Sequence, residues 1–238
     1  MPLRIVSSPS WVATDLTRLF TVIALISDIK SFILFLLKGS LKLFTLVCLL
    51  ISTQVYAAPI LILGDSLSAS YGVDEEKGWV NLLREKLPQH EIINGSVSGE
   101  TTAGGLRRLP ALLESSSPSV IIVELGGNDG LRGFSPVQLK ENLTKIITLS
   151  KQNNTQVLLS EVMVPPNYGA RYATLFENVY KELANEHDLI LMPFFMKEIA
   201  THPELMQRDG IHPNTDAQPQ ITQFILPWLT KAINTDRE

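Results

Sequence analysis

The chain has 238 residues, of which 45% are hydrophobic and 18% are charged, and its formal net charge is −4. This much apolar sequence excludes an intrinsically disordered protein, and the length allows one well-packed domain or two small ones. The mildly acidic balance argues against a protein that binds nucleic acid through a basic surface. A single cysteine, Cys48, excludes an internal disulfide and a cysteine-based metal cluster.

The first 57 residues hold much of the apolar sequence and predict an export signal. A basic segment with Lys38 and Lys42 is followed by an apolar core, residues 43–51, and by the small-x-small sequence Val55-Tyr56-Ala57. We therefore expect cleavage after Ala57 and a location in the periplasm or outside the cell. An uncleaved membrane anchor or a buried helix stays open as an alternative, although lysines interrupt the apolar runs before the roughly 20 residues that a bilayer requires.

The predicted mature chain, residues 58–238, differs in charge from the whole sequence. It keeps 15 Lys and Arg against 22 Asp and Glu, a net charge of −7, and it has no cysteine. A chain without thiols suits an oxidising compartment, where none can mispair. The segment shows no repeat, linker or basic amphipathic helix of the kind that binds anionic lipid. We therefore expect one domain over residues 58–238, acting as a monomer without stable insertion in a membrane.

Short apolar runs of strand length alternate with longer segments at helical spacing along this domain. Near-continuous apolar runs are typical of parallel strands that are covered on both faces. The predicted elements, in chain order, are strand Ile60–Leu63, helix Trp79–Leu87, strand Ile92–Ile93, helix Thr102–Ser115, strand Val120–Val123, helix Pro136–Lys151, strand Val157–Leu159, helix Tyr172–His187, strand Leu189–Leu191 and helix Thr215–Asn234. This alternation predicts an α/β fold, a three-layer sandwich with a five-stranded parallel sheet in flavodoxin-like order.

Chemically useful side chains follow several of the predicted strands. Ser66 follows the first strand, Gly99 the second and Asn128 the third, and His212 lies in the loop before the last helix. In sheets of this kind, ligands bind outside the carboxyl ends of the strands. The topology therefore predicts that these residues meet at one edge of the sheet.

These residue types are the ones that acyl transfer requires. A serine hydroxyl needs a base to take its proton, and histidine is the usual base near neutral pH. Asp209, three residues before His212, is close enough along the chain to fix the tautomer of the histidine. The backbone N–H groups of Ser66 and Gly99 and the side-chain amide of Asn128 are candidate donors to the tetrahedral oxyanion. The pattern predicts a serine hydrolase with Ser66 as its nucleophile.

Other classes of protein stay open at this point, because each motif alone also forms an ordinary turn. A non-catalytic module would hold an anion on the turn at residues 64–68, but it would leave Asn128 and the Asp209–His212 pair without a role. A metal hydrolase would use Asp129, Asp209 and His212, yet it lacks a suitable second histidine. The sequence contains no dinucleotide fingerprint, P-loop or zinc motif, so we expect no cofactor and no metal.

The four motifs together resemble those of the GDSL, or SGNH, hydrolase superfamily, whose second name stands for serine, glycine, asparagine and histidine. By this resemblance Ser66 is similar to the nucleophile, and Gly99 and Asn128 are similar to the oxyanion donors. His212 is similar to the base and Asp209 to the carboxylate of the triad. The nucleophile motif is not a G-x-S-x-G elbow, since a serine stands at position 68.

The resemblance extends over nearly all of residues 58–230, toward periplasmic members with thioesterase, arylesterase and lysophospholipase activities. It implies that residues 130–135 form a mobile loop near the acyl chain, and that Leu131, Phe134 and Pro166 line the acyl pocket. The implied function is hydrolysis of fatty acyl esters, thioesters and lysophospholipids, all small-molecule substrates, through an acyl-enzyme. A carbohydrate or aryl acetylesterase with the same Ser-His-Asp chemistry is the alternative, and the sequence leaves both open.

Overall fold

The computed structural model describes Lys30 and residues 59–235. The predicted leader and its cleavage site after Ala57 lie outside these residues. The central element is a parallel sheet in the order β2-β1-β3-β4-β5. Its strands are β1 (Ile60–Gly64), β2 (Ile92–Asn94), β3 (Val120–Glu124), β4 (Gln156–Ser160) and β5 (Ile190–Met192). The prediction of a five-stranded parallel sheet in flavodoxin-like order is confirmed.

Residues 59–235 contain seven α-helices. They are α1 (Trp79–Lys86), α2 (Thr102–Ser116), α3 (Gly127–Leu131), α4 (Pro136–Gln152), α5 (Ala170–His187), α6 (Met196–Ile199) and α7 (Gln218–Thr235). Short 3₁₀ turns occur at Glu75–Lys77, Pro166–Tyr168, Pro203–Leu205 and Thr215–Ala217. None of these helices is long and apolar enough to cross a bilayer.

The sheet is covered on both faces, and this explains why its strands consist mostly of consecutive apolar residues. Ile60 and Ile62 pack in one core cluster with side chains of α1, α6 and α7. Leu61 and Leu63 pack on the opposite face with side chains of α2, α4 and α5. Successive side chains of a strand point to opposite faces, so both faces of β1 require apolar residues. The three-layer sandwich follows directly.

The element boundaries differ from the predictions where local polar contacts decide them. The last helix begins at Gln218 rather than at Thr215, because the side chain of Asn214 accepts bonds from the N–H groups of Asp216 and Ala217 and holds a 3₁₀ turn there. The helices α3 and α6 were not predicted. Both have at most five residues, which is too short to show a helical hydrophobic period.

The loop that follows β2 lies beside the carboxyl end of β1. Beyond β2, the chain stays bonded to β1: the N–H of Gly95 donates to the carbonyl of Ile62 at 2.8 Å, and the N–H of Val97 donates to that of Gly64 at 3.1 Å. The loop that contains Gly99 is therefore held beside the end of the first strand.

Candidate active site

Ser66, His212 and Asp209 form one continuous chain of hydrogen bonds. Ser66 lies just beyond β1, and its Oγ is 2.9 Å from Nε2 of His212. Nδ1 of the same ring is 2.7 Å from Oδ2 of Asp209. The structure thus brings together the three residues that the sequence predicted to form a triad.

The loop that carries the histidine is organised by Asp209. Its Oδ1 accepts the backbone N–H groups of His212 at 3.0 Å and of Ile211 at 2.9 Å. The bonds from the His212 backbone and ring, and then that from Ile211, lower the pKa of Asp209 to about 2. Asp209 is therefore a carboxylate at neutral pH, so Nδ1 of His212 must carry the proton of their bond. Nε2 is left as an acceptor that faces the Ser66 hydroxyl.

An aromatic ring covers part of the histidine. The ring of Tyr71 lies against that of His212, with 4.5 Å between the ring centroids. The His212 side chain is only 16% exposed as a result of its packing. Sequence reasoning assigned no role to Tyr71, because the two residues are far apart in the chain and no local pattern links them.

Gly99 adopts a backbone conformation that favours glycine. Its φ is +77°, in the left-handed region, although a Cβ placed there would meet nothing closer than Arg132 Nη2 at 4.0 Å. Backbone conformation and not crowding is therefore the local reason for glycine. Arg132 Nη2 donates to the carbonyl of Gly99 at 3.1 Å and so ties this loop to the end of α3. No described contact tests the predicted oxyanion role of the Gly99 N–H.

Asn128 lies in the first turn of the short helix α3, a segment for which the sequence predicted no helix. The preceding Gly126 has φ +121°, and a Cβ there would lie 2.0 Å from the hydroxyl of Tyr180. The positive φ allows the chain to turn from β3 into the helix, and the tyrosine leaves no space for a side chain at this position. The side-chain Nδ2 of Asn128 donates to Oδ2 of Asp65 at 3.1 Å, which places Asn128 next to the residue that precedes Ser66.

Two buried carboxyl groups lie behind the nucleophile. Asp65 and Glu124 are 2% and 1% exposed. Burial raises the pKa of Asp65 to about 6 against the opposing effect of its hydrogen bonds, and it raises the pKa of Glu124 well above its ordinary value. Oε2 of Glu124 is 2.6 Å from Oγ of Ser68, whereas Oε1 has no partner. At neutral pH, Asp65 is therefore mostly ionised.

The sequence did not identify Glu124 as a residue of the site, because the third predicted strand ended at Val123. The only available signal was a lone acidic residue that directly follows the apolar run Val120–Val123. Asp129, the other candidate acid of this region, accepts bonds from the backbone and hydroxyl of Thr102. It therefore fixes the start of α2 and is not paired with Asp209 and His212.

The alternative of a metal hydrolase requires a cluster of metal-binding side chains. Among the described residues, no group of three or more His, Cys, Asp or Glu side chains is arranged to hold a metal ion.

The predicted acyl-pocket residues lie on α3 and in the segments that adjoin it. Leu131 ends α3 and is partly exposed, and Phe134, in the following loop, is 38% exposed. Their backbone carbonyls accept hydrogen bonds from the hydroxyl groups of Tyr168 at 2.9 Å and Tyr172 at 2.8 Å. The side chain of Pro166 lies outside the described part of the structure. An open cavity of about 330 Å³ adjoins the tyrosines, and its lining is Pro136, Tyr168, Gly169, Arg171, Tyr172 and Leu175.

Comparison with known proteins agrees with this architecture. Residues 62–218 match the model of the GDSL-like Lipase/Acylhydrolase family. The chain is 45% identical over 188 residues to an arylesterase of Vibrio mimicus, covering 77% of this chain and 94% of the relative. It is 45% identical over 194 residues to the thioesterase 1/protease 1/lysophospholipase L1 of Escherichia coli K12, covering 81% of this chain and 93% of that protein.

A solved structure shares the fold at the same level of identity. The psychrotrophic esterase EstA from Pseudoalteromonas sp., in a structure inhibited by monoethylphosphonate, aligns with a TM-score of 0.72 and 45% identity. The alignment covers 74% of this chain and 99% of the esterase. The family model covers more than half of the chain, and the Ser-Gly-Asn-His motifs lie within the matched residues. The chain therefore belongs to the GDSL-like lipase/acylhydrolase family.

Proposed function

We propose that the protein is a serine hydrolase that cleaves fatty acyl esters and thioesters through an acyl-enzyme on Ser66. The observation that carries the proposal is the chain of hydrogen bonds from Ser66 Oγ through His212 to Asp209. This arrangement gives a serine the base that it otherwise lacks. The names of the relatives, an arylesterase and a thioesterase/lysophospholipase, support ester and thioester substrates.

In the first half of the proposed reaction, His212 Nε2 takes the Ser66 proton while Oγ attacks the carbonyl carbon of the substrate. The negative oxygen of the tetrahedral intermediate accepts bonds from the N–H groups of Ser66 and Gly99 and from the Asn128 amide. When the intermediate collapses, the alcohol or thiol leaves with the proton held by His212. The acyl group stays on Ser66.

In the second half, a water molecule replaces the leaving group. His212 takes a proton from the water as its oxygen attacks the acyl carbon, and a second tetrahedral intermediate forms in the same donor site. Its collapse releases the carboxylic acid and returns the proton to Ser66 Oγ. Asp209 stays ionised throughout and stabilises the imidazolium that forms in each half.

The substrate class is tested by the response to acyl chain length. We propose that Leu131, Phe134 and Pro166 line the acyl pocket, so each buried methylene contributes about 0.8 kcal/mol, or roughly a fourfold gain in kcat/KM. The measurement is hydrolysis of p-nitrophenyl esters and acyl thioesters from acetyl to medium-chain groups. The value of kcat/KM is expected to increase with each of several added methylenes. A flat or falling response beyond acetyl identifies a carbohydrate or aryl acetylesterase instead.

We also propose that residues 1–57 are a leader removed on export, and that residues 58–238 act as a monomer in the periplasm or outside the cell. Support comes from the basic, apolar and small-x-small order of the leader and from the match of the family model to residues 62–218. Amino-terminal sequencing of the exported protein tests the proposal. It predicts a first residue at Ala58, and a start far from that position contradicts it.

A further inference from the structure

Asp65 lies beside the predicted nucleophile but takes no part in the chain of bonds from Ser66 to Asp209. Its carboxyl group is 2% exposed, and both of its oxygens accept hydrogen bonds. Oδ1 accepts the backbone N–H of Leu67 at 3.0 Å, and Oδ2 accepts Nδ2 of Asn128 at 3.1 Å. An ionisable group is expensive to bury, so its retention here calls for a specific role.

The bond to Asn128 decides which way that amide faces. Nδ2 carries two hydrogens, and Asp65 engages one of them. The second hydrogen stays free to bind a substrate oxygen. The torsion that turns an asparagine amide has broad minima, so the amide is easily reoriented when it has no acceptor. A reversed amide presents its carbonyl oxygen, which repels an oxyanion.

The charge on Asp65 strengthens this restraint. The ionisable groups that act on it are Glu124 from β3, Asp129 from α3 and His212 from the loop before α7. Burial and the nearby Asp65 raise the pKa of Glu124 well above its ordinary value, whereas the pKa of Asp65 is about 6, so Asp65 is mostly ionised at pH 7. A hydrogen bond to an ionised acceptor is roughly twice as strong as one between neutral groups.

The backbone at the start of α3 lies close to the Asp65 carboxyl group. A Cβ at Gly127 would lie 2.9 Å from Oδ2 of Asp65, so the start of α3 closes tightly over the carboxylate. The next residue, Asn128, donates to the same oxygen.

We propose that Asp65 is a positioning residue that acts through Asn128, holding its amide so that the free N–H points at the oxyanion. The inference rests on the proposed function, since it assumes that Asn128 donates to the tetrahedral intermediate. It assigns to the second residue of the Gly-Asp-Ser-Leu motif a role distinct from that of the triad carboxylate Asp209.

A double-mutant cycle between Asp65 and Asn128 tests the proposal. Asp65→Ala removes the acceptor and is expected to lower kcat about 10²-fold with little change in KM, as is typical when one oxyanion donor is lost. Asn128→Ala is expected to lower kcat by about 10²–10³-fold. If Asp65 acts through Asn128, the double variant is no slower than Asn128→Ala alone. Losses that multiply in the double variant overturn the proposal.

Further variants keep the test decisive if Asp65→Ala does not fold. Asp65→Asn keeps the volume and one acceptor oxygen, and its smaller loss of kcat is likewise expected to vanish in the Asn128→Ala background. Asp129→Asn is the matched control. Asp129 is also a buried carboxyl group close to Asn128, but it bonds to Thr102. Asp129→Asn is expected to lower kcat less than Asp65→Asn, because it leaves the hydrogen bond between Asp65 and the Asn128 amide in place.

Comparison of Asn128→Ala with Ser66→Ala distinguishes a failure of this inference from a failure of the proposed function. If Asn128→Ala keeps the wild-type kcat while Ser66→Ala is inactive, the positioning role is wrong and the serine hydrolase stands. If Ser66→Ala keeps full activity, the proposed function itself fails.

Discussion

His212 has a different partner at each of its two ring nitrogens. Asp209 is ionised at neutral pH, so it accepts the proton on Nδ1 and leaves Nε2 free to accept from Ser66. The two backbone N–H bonds to Asp209 Oδ1 keep the carboxylate in place even though its side chain is 37% exposed. The tautomer that the proposed reaction needs is thus set by three residues of one short loop.

Asp209→Asn tests this point. An amide at this position can donate to Nδ1, which favours the wrong tautomer, and kcat is expected to fall roughly 10²–10⁴-fold with the fold intact. Glu204→Gln is the matched control, because Glu204 also contacts a histidine, His202, at 3.1 Å on the surface. Hydrolysis of a p-nitrophenyl ester checks both variants. Equal rates for Asp209→Asn and the wild type would show that Asp209 does not orient the base.

At the residue scale, the sequence was informative where partners are close in the chain or follow a strand. Asp209 and His212 are three residues apart, and Ser66 lies two residues beyond β1, so pattern and topology together predicted their meeting. Glu124 and Ser68 are 56 residues apart and meet only because β1 and β3 are neighbours. A long-range contact of this kind leaves no local signal, since it depends on strand register.

At the scale of elements, two tyrosine hydroxyls join the loop after α3 to the start of α5. Tyr168 binds the carbonyl of Leu131, and Tyr172 binds that of Phe134. The bonded carbonyls belong to residues that we propose to line the acyl pocket. The two bonds therefore restrain the wall of the proposed pocket.

Tyr172→Phe removes one of these restraints. We expect a KM that rises for long acyl chains by about fivefold, equivalent to a hydrogen bond of about 1 kcal/mol, and that changes little for acetyl esters. Tyr180→Phe is the matched control, because the Tyr180 hydroxyl also binds a carbonyl, that of Leu125, but in the core. It should lower stability without altering chain-length preference. Equal KM changes for short and long chains in Tyr172→Phe would disprove the restraint.

The elements that the sequence predicted well are those with a clear hydrophobic period. Helix α4 begins at Pro136, as predicted, and Ser135 caps it by accepting the N–H of Val137. Helix α3 was not predicted, because the two glycines before Asn128 are also typical of an ordinary turn. Its form depends on the positive φ of Gly126 and on the packing of Tyr180, which become visible only in three dimensions.

At the scale of the whole molecule, the buried carboxyl group of Asp65 makes stability depend on pH. Its pKa is about 6 in the folded protein against an ordinary value of 3.8, so the folded state binds the proton more tightly than the unfolded chain. The resulting stabilisation is complete below about pH 3.8 and is lost as the pH rises through about 6. The full loss amounts to about 3 kcal/mol.

Asp65→Asn isolates this contribution, because the amide does not titrate. The free energy of unfolding of the variant, relative to the wild type, is expected to rise by about 2 kcal/mol between about pH 4 and about pH 8. Urea unfolding at the two pH values measures it. A difference that does not change with pH would mean that Asp65 has an ordinary pKa in the folded protein.

The overall architecture was predictable from sequence because burial on both faces of the sheet leaves a strong pattern. Near-continuous apolar runs such as Ile60–Leu63 predicted parallel strands, and their alternation with helices predicted the layers. The charge balance of residues 58–238 and the order of the leader predicted export, which stays a prediction.

The most direct test of the central claim, that Ser66 is the nucleophile, is covalent labelling with a fluorophosphonate followed by peptide mass spectrometry. The related esterase EstA was solved in a form inhibited by monoethylphosphonate, which supports the choice of reagent. Ser68→Ala is the matched control, since Ser68 is buried and bonded to Glu124. We predict a single label on Ser66 in the wild type and in Ser68→Ala, and none in Ser66→Ala. A label on another residue, or one that persists in Ser66→Ala, would contradict the claim.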